Sequence, residues 1–153
     1  MSNEDPYRPF RPRAVRVVIP LLVLAWVGGA TFLIITMVRY QADYTPHIAA
    51  IVILVVLAVA FFLRVLAIRA VPDQRGIRIY NIVLRHHLPW EQIVSVRFGD
   101  RPWVQLDIAD GTVLSVMAVQ RADGAYARAE ASRLAALVAA REARDVDPGD
   151  RRG

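Results

Sequence analysis

The sequence predicts a membrane α-hairpin followed by a small α+β domain: two transmembrane helices, then a short-stranded antiparallel sheet closed by one C-terminal helix. Three observations predict it. Residues 17–38 run for 22 positions without a formal charge, and residues 48–63 for 16 more. Arginines stand outside both runs, and almost none lies between them. Past residue 71 the apolar pattern changes from continuous to alternating, and past residue 123 it turns helical.

The first run is long enough to cross a hydrocarbon core of roughly 30 Å at about 1.5 Å per residue. It is too long for the apolar core of a signal peptide, and Thr36-Met37-Val38-Arg39 makes a poor cleavage site. The second span is expected over about 48–68, with Arg64 snorkelling to the interface and Arg69 marking its boundary. Pro46 is placed to start that helix. Tyr40 and Tyr44 suit the far interface. Arg8, Arg11, Arg13 and Arg16 precede the first span, and Arg64, Arg69, Arg75 and Arg78 close or follow the second. The positive-inside rule then puts both termini in the cytoplasm of a multi-pass plasma (inner) membrane protein. Ala25-x-x-x-Gly29 offers a small-residue approach surface for the second helix. Neither run holds an acidic residue, which argues against an ion or proton pathway.

The division is therefore residues 1–13 as a disordered N-terminus, 14–70 as the hairpin, 71–144 as a soluble domain and 145–153 as a disordered tail. At about 74 residues the domain is near the lower limit for a self-supporting core, so a large enzyme domain is excluded. Without cysteine, neither disulfides nor thiolate metal sites can form.

Within the domain, Ile77 and Ile79 alternate with Arg78 and Tyr80. Ile82, Leu84, His86 and Leu88 alternate with Val83, Arg85 and His87. Val94, Val96 and Phe98 alternate with Ser95 and Arg97, and Val104, Leu106 and Ile108 with Gln105 and Asp107. Each run is one half-buried strand. Tyr80-Asn81 is expected to reverse the first pair, and residues 89–92 to form a short helical turn. Asp110-Gly111 is a hairpin signal. A two-residue loop there would oppose Leu114 to Asp107, mixing the faces. A three-residue loop, 109–111, opposes Leu106 to Leu114 and Val104 to Val116, with Gly111 left-handed in a bulge. The three-residue loop is therefore expected. Asp123 can cap a helix over about 123–143. Its expected buried stripe is Tyr126, Ala129, Leu134, Leu137 and Val138, with Arg128, Glu130, Arg141 and Glu142 in water.

The motifs Gly76-Ile-Arg-Ile-Tyr-Asn81, Leu88-Pro-Trp-Glu-Gln-Ile93, Trp103, Asp110-Gly111 and Ala118-Val-Gln120 resemble the bacterial pleckstrin-homology-like (PH-like) family. Within it they are most similar to the actinobacterial subgroup named after low-molecular-weight protein antigen 6. The resemblance covers about residues 71–137 and extends to the two-span hairpin ahead of the domain. It implies a strongly bent, partly open barrel closed by the C-terminal helix. Its structural hallmarks here are Pro89, Trp90, Ile93, Asp110 and Gly111. One strand of the family's seven is missing or lies at 68–73.

Catalytic and metal chemistry find no foothold. His86 and His87 are adjacent in a strand and point to opposite faces. Ser95, Ser115 and Ser132 lack a nucleophile-elbow context, and no phosphate-cradling glycine loop appears. No catalytic residue, cofactor or metal is expected, and no enzyme activity. Trp90 is expected to pack where the barrel closes. Trp103, opposite in face to Val104 and Leu106, is the candidate partner contact. Arg75, Arg78 and Arg85 are candidate contacts to anionic lipid. Between residues 71 and 120 five arginines meet five acids, so a basic footprint requires the arginines to share one face. No nucleic-acid motif is present. The expected function is non-catalytic: a PH-like binding or scaffold domain held at the cytoplasmic face for a membrane or cytoplasmic protein partner, with self-association left open. The alternatives are an anionic-lipid sensor, or an accessory subunit of a transporter or envelope enzyme.

Overall fold

The computed structural model describes residues 5–40 and 45–145. The chain divides into two units, residues 13–67 and residues 1–12 together with 68–153.

The first unit is a pair of antiparallel helices, α1 (Arg13–Arg39) and α2 (Thr45–Leu66). Both are long and apolar enough to cross a membrane. Their apolar side chains are largely uncovered: Leu24 is 70% exposed and Phe32 73%. The two threonine hydroxyls of α1 are satisfied within the helix. The Thr31 and Thr36 hydroxyls donate to the carbonyls of Val27 and Phe32, one turn back. Arg64 lies in the last turn of α2, and α2 starts one residue ahead of Pro46. Ala25 and Gly29 line a shallow groove with Ile51 and Leu54, so the small residues face α2 but leave space beside it.

Among its described residues the second unit holds six strands: β1 (Arg69–Pro72), β2 (Gly76–Tyr80), β3 (Arg85–Pro89), β4 (Ile93–Arg97), β5 (Trp103–Ile108) and β6 (Val113–Gln120). They form two antiparallel three-stranded sheets, β1-β2-β3 and β4-β5-β6, followed by helix α3 (Ala125–Asp145). β6 meets β1 and β2 at one corner, and α3 packs against β4 and β6. Ile77, Ile79, Val104, Leu106, Val116 and Leu134 are fully buried at the centre.

The β5–β6 register follows from the turn chemistry. Leu106 pairs with Leu114 and Val104 with Val116, around a loop of residues 109–111. Gly111 has φ +84°, the left-handed conformation that a glycine adopts freely. Gly76 is required for a different reason: a Cβ there would stand 2.2 Å from the Leu88 carbonyl oxygen of the neighbouring strand. The turn between β1 and β2 is held by Asp73. One carboxylate oxygen accepts from the backbone N–H groups of Arg75 (2.8 Å) and Gly76 (3.0 Å), and the other from the Arg78 guanidinium (3.2 Å). These bonds, the Arg75 N–H foremost, hold its pKa below the ordinary carboxylate value. Its backbone carbonyl accepts the indole N–H of Trp90 (2.9 Å), which buries that tryptophan at the closure as expected.

Several expectations are corrected. Residues 5–12 belong to the domain rather than to a disordered terminus. Phe10 is fully buried and pairs with Ala70, its N–H donating at 2.8 Å and its carbonyl accepting at 3.1 Å. The hairpin therefore occupies 13–67 rather than 14–70. The 82–88 run is not one strand, because residues 81–84 make the turn. Val83 is 80% exposed and Leu84 61%. The turn falls there because the Asn81 amide is committed to β6, donating to the Ser115 carbonyl and accepting from the Met117 N–H. A register irregularity between Ile93 and Ser95 shifts the phase of β4, burying Ile93 and leaving Val94 66% exposed.

Helix α3 is also out of phase with its expected stripe. Ala127, Glu130, Ala131, Leu134 and Val138 are buried, while Ala129 is exposed and Tyr126 and Leu137 are half-buried. Glu130 is inside because Arg8 (2.9 Å) and Arg133 (2.7 Å) both pair with it. Asp123 ends a single 3₁₀ turn, and the first α3 bond is accepted by Gly124, at φ +58°. The expected tail beyond residue 145 and the first four residues lie outside the described residues.

Two outcomes follow. Joining residues 1–12 to 68–145 through about six Gly/Ser residues should give a folded, water-soluble domain, read by amide exchange and denaturant melts. In that chain Phe10→Ala should cost about 3–5 kcal/mol, the range for emptying a buried aromatic site; a loss under about 1 kcal/mol would make residues 5–12 peripheral. Asp73 is more acidic folded than unfolded, so it stabilises the fold above the ordinary carboxylate pKa. That contribution is lost as pH falls towards the lowered value. Asp73→Asn should therefore flatten part of the acid limb of stability against pH.

Candidate functional site: a basic sheet face and a clasped N-terminal segment

In an antiparallel ladder, directly opposed residues share a face. Arg69 opposes Tyr80, which opposes Arg85; Val71 opposes Arg78, which opposes His87. All six therefore point away from the buried face that carries Ile77 and Ile79. The Arg69 guanidinium lies 4.7 Å from the Tyr80 ring centroid and that of Arg85 5.7 Å, so one ring is flanked by two cations. Arg78 is paired with Asp73. Arg75 is exposed in the β1–β2 turn, beside this face and not on it. Of the three arginines singled out from sequence, two thus meet on one face. Arg69, read only as a span boundary, and Tyr80 complete it. Their grouping depends on the β1–β2 register, which no local pattern in residues 68–73 announces.

Trp103 stands apart. It opens β5, pairs with Gln120 ahead of a register shift, and is half-buried. It lines a shallow depression of about 400 Å³ with Pro102, Gln120 and Arg121. His86 lies half-buried opposite Ile79 and His87 exposed opposite Arg78, on the two faces expected. Among the described residues no group of three or more His, Asp or Glu could hold a metal. Asp107 is held acidic first by the Ser95 hydroxyl and then by Arg97, and Asp110 by the Thr112 hydroxyl and N–H. These bonds fix a strand pair and a turn.

A second constellation was not legible in the sequence. The Arg133 guanidinium sits 3.8 Å from the Phe10 ring centroid and donates to the carbonyls of Pro6 (3.0 Å) and Arg8 (2.9 Å). Arg141 donates to the Tyr7 hydroxyl (2.9 Å). Helix α3 thus grips residues 6–10 by aromatic face, backbone and side chain together. The only sequence signal was two aromatic residues in a proline-rich terminus.

The family described as Bacterial PH domain matches residues 68–144, half of the chain. Low molecular weight protein antigen 6 of Mycobacterium bovis and of Mycobacterium tuberculosis are each 30% identical over 66 residues, 43% of this chain. The chain spans about three-fifths of the length of these curated relatives (59%). No solved structure matches at a significant level. Two three-stranded antiparallel sheets, a closing helix and the family match agree, and the chain belongs to the bacterial PH domain family.

Proposed function

We propose that this is a non-catalytic membrane protein whose hairpin holds a PH-like recognition module at the cytoplasmic face of the inner membrane, for protein partners in a membrane complex. The observation that carries the reading is the Phe10–Ala70 pair. Those residues flank the two apolar helices and hydrogen-bond to each other, so both flanks of the hairpin must lie on one side of any bilayer it crosses. The arginine bias names that side: four arginines precede α1's apolar stretch, and one, Arg39, stands with Asp43 in the link. Exposed apolar helices as bare as these are stable in lipid and a liability in water. Tethering raises the local concentration of the module for any membrane-bound partner, to the millimolar range for short tethers.

A second reading is favoured by one feature, the cationic face. Arg69 is three residues beyond the end of α2. An arginine near an anionic leaflet contributes about 1 kcal/mol, so Arg69 and Arg85 together give a modest lipid contact rather than an anchor.

The topology is testable by single introduced cysteines because the chain has none of its own. In spheroplasts, an impermeant maleimide should label Gln41→Cys without lysis and Ala129→Cys only after lysis. Labelling of Ala129→Cys from outside would overturn the topology. For the lipid reading, the full chain in nanodiscs should show slower amide exchange in β1–β3 with phosphatidylglycerol than with phosphatidylcholine. Arg69→Ala with Arg85→Ala, or 0.5 M salt, should erase the difference. Equal exchange in both lipids would remove lipid contact and leave the tethered module standing.

A further inference from the structure

The geometry points to the groove between β4 and α3 as the docking site of an extended segment from a protein partner, added as a strand to β4; this rests on the scaffold reading above. Among the described residues β4 ends its sheet and pairs only with β5, so one row of its N–H and C=O groups lacks a strand partner. Val94 projects from it 66% exposed, a large apolar side chain on an open edge. Two hollows lie along this strand, both walled by α3. One, of about 380 Å³, lies between Trp90, Ile93 and Val138. The other, of about 340 Å³, lies between Val96, Phe98 and Ala135. Ala131, Ser132 and Ala135 keep the helix wall low at the second hollow. An added strand presents side chains to one face at every second residue, and paired hollows along an open edge are the form that main-chain pairing with side-chain selection requires.

The ends of the groove differ in charge. Arg128 stands at the Phe98 end, with no ion-pair partner among the described residues. Glu91 and Glu142 stand at the Ile93 end, where Arg141 is drawn to the Tyr7 hydroxyl. The fitting occupant is a segment with an apolar centre, an acid at the end near Arg128 and a base at the end near Glu91.

The test presents a displayed library of random ten-residue peptides to the full chain in nanodiscs. Enriched peptides should share that charge polarity and slow amide exchange in β4. Ala135→Trp, which fills the second hollow, should weaken them about tenfold or more, and Val83→Ala in the exposed turn between β2 and β3 should not. If Ala135→Trp lowers the melting temperature, Ser132→Arg on the same helix wall carries the comparison. No enrichment, or peptides indifferent to these variants, overturns the site. A photo-crosslinking residue placed singly at Val94 and at Trp103 in host membranes separates the two readings. Adducts with another protein at Trp103 and none at Val94 overturn the groove and keep the scaffold reading. No adduct at either position overturns both. A Val94 adduct with a second copy of this chain overturns the heterologous occupant.

Discussion

The domain depends on a contact between residues that the sequence holds far apart. Phe10 and Ala70 exchange two backbone hydrogen bonds around an intervening pair of apolar helices. Closing a flexible loop of that length would cost about 3–4 kcal/mol in chain entropy, beyond a constant term. A helical hairpin meets much of this cost in advance. Its two helices are antiparallel neighbours, so the residues leaving them, at 12 and 68, emerge at one end. Hairpin formation and domain closure therefore support one another.

Glu130 shows why the clasp is charged when an apolar one would hold as well. Burying a carboxylate is costly unless every oxygen has a donor. Here Arg8 takes one oxygen and Arg133 the other. Such a network adds little net stability over a hydrophobic equivalent, but a mispaired version leaves a buried charge and is strongly disfavoured. The segment is thus fixed in one register: Arg8 must reach Glu130 while Phe10 sits under the Arg133 guanidinium. A clasp of apolar contacts alone could slide along the β1 edge.

What the sequence made legible was local. Charge-free runs located both helices to within a few residues. The alternation of Val104, Leu106, Leu114 and Val116, with the demands of an Asp-Gly turn, decided a three-residue loop over a two-residue one. Trp90 was expected at the closure, where its indole is buried. What was not legible required a partner distant in the chain. Phe10 reads as a stray aromatic until Ala70 and Arg133 are beside it. Glu130 reads as solvated, and taking it so rotates the apparent buried stripe of α3 away from Ala127 and Ala131. Val94 reads as core because alternation assumes an unbroken ladder, and the shift between Ile93 and Ser95 breaks it. The cationic face needed the pairing of three strands before Arg69, Arg78 and Arg85 could be seen together.

The same contacts decide which strand edges of the domain are engaged. A β-sheet exposes backbone hydrogen-bonding groups only at its edges. At one corner of the fold those edges are engaged: Phe10 is bonded to β1, and the Asn81 amide bonds the carbonyl and N–H of β6 on either side of Val116. The opposite corner, where β3 passes through the Trp90 turn into β4, has no such closure among the described residues. Trp90 seals the core beneath that turn, with its indole N–H bonded to Asp73, so an open edge there does not wet the interior. A fold that ties down one corner with its own terminus and leaves the other open behind a packed tryptophan separates what must stay shut from what can be approached. The tied corner joins both flanks of the apolar hairpin, and at the open corner the outer row of β4 backbone donors and acceptors has no strand partner among the described residues.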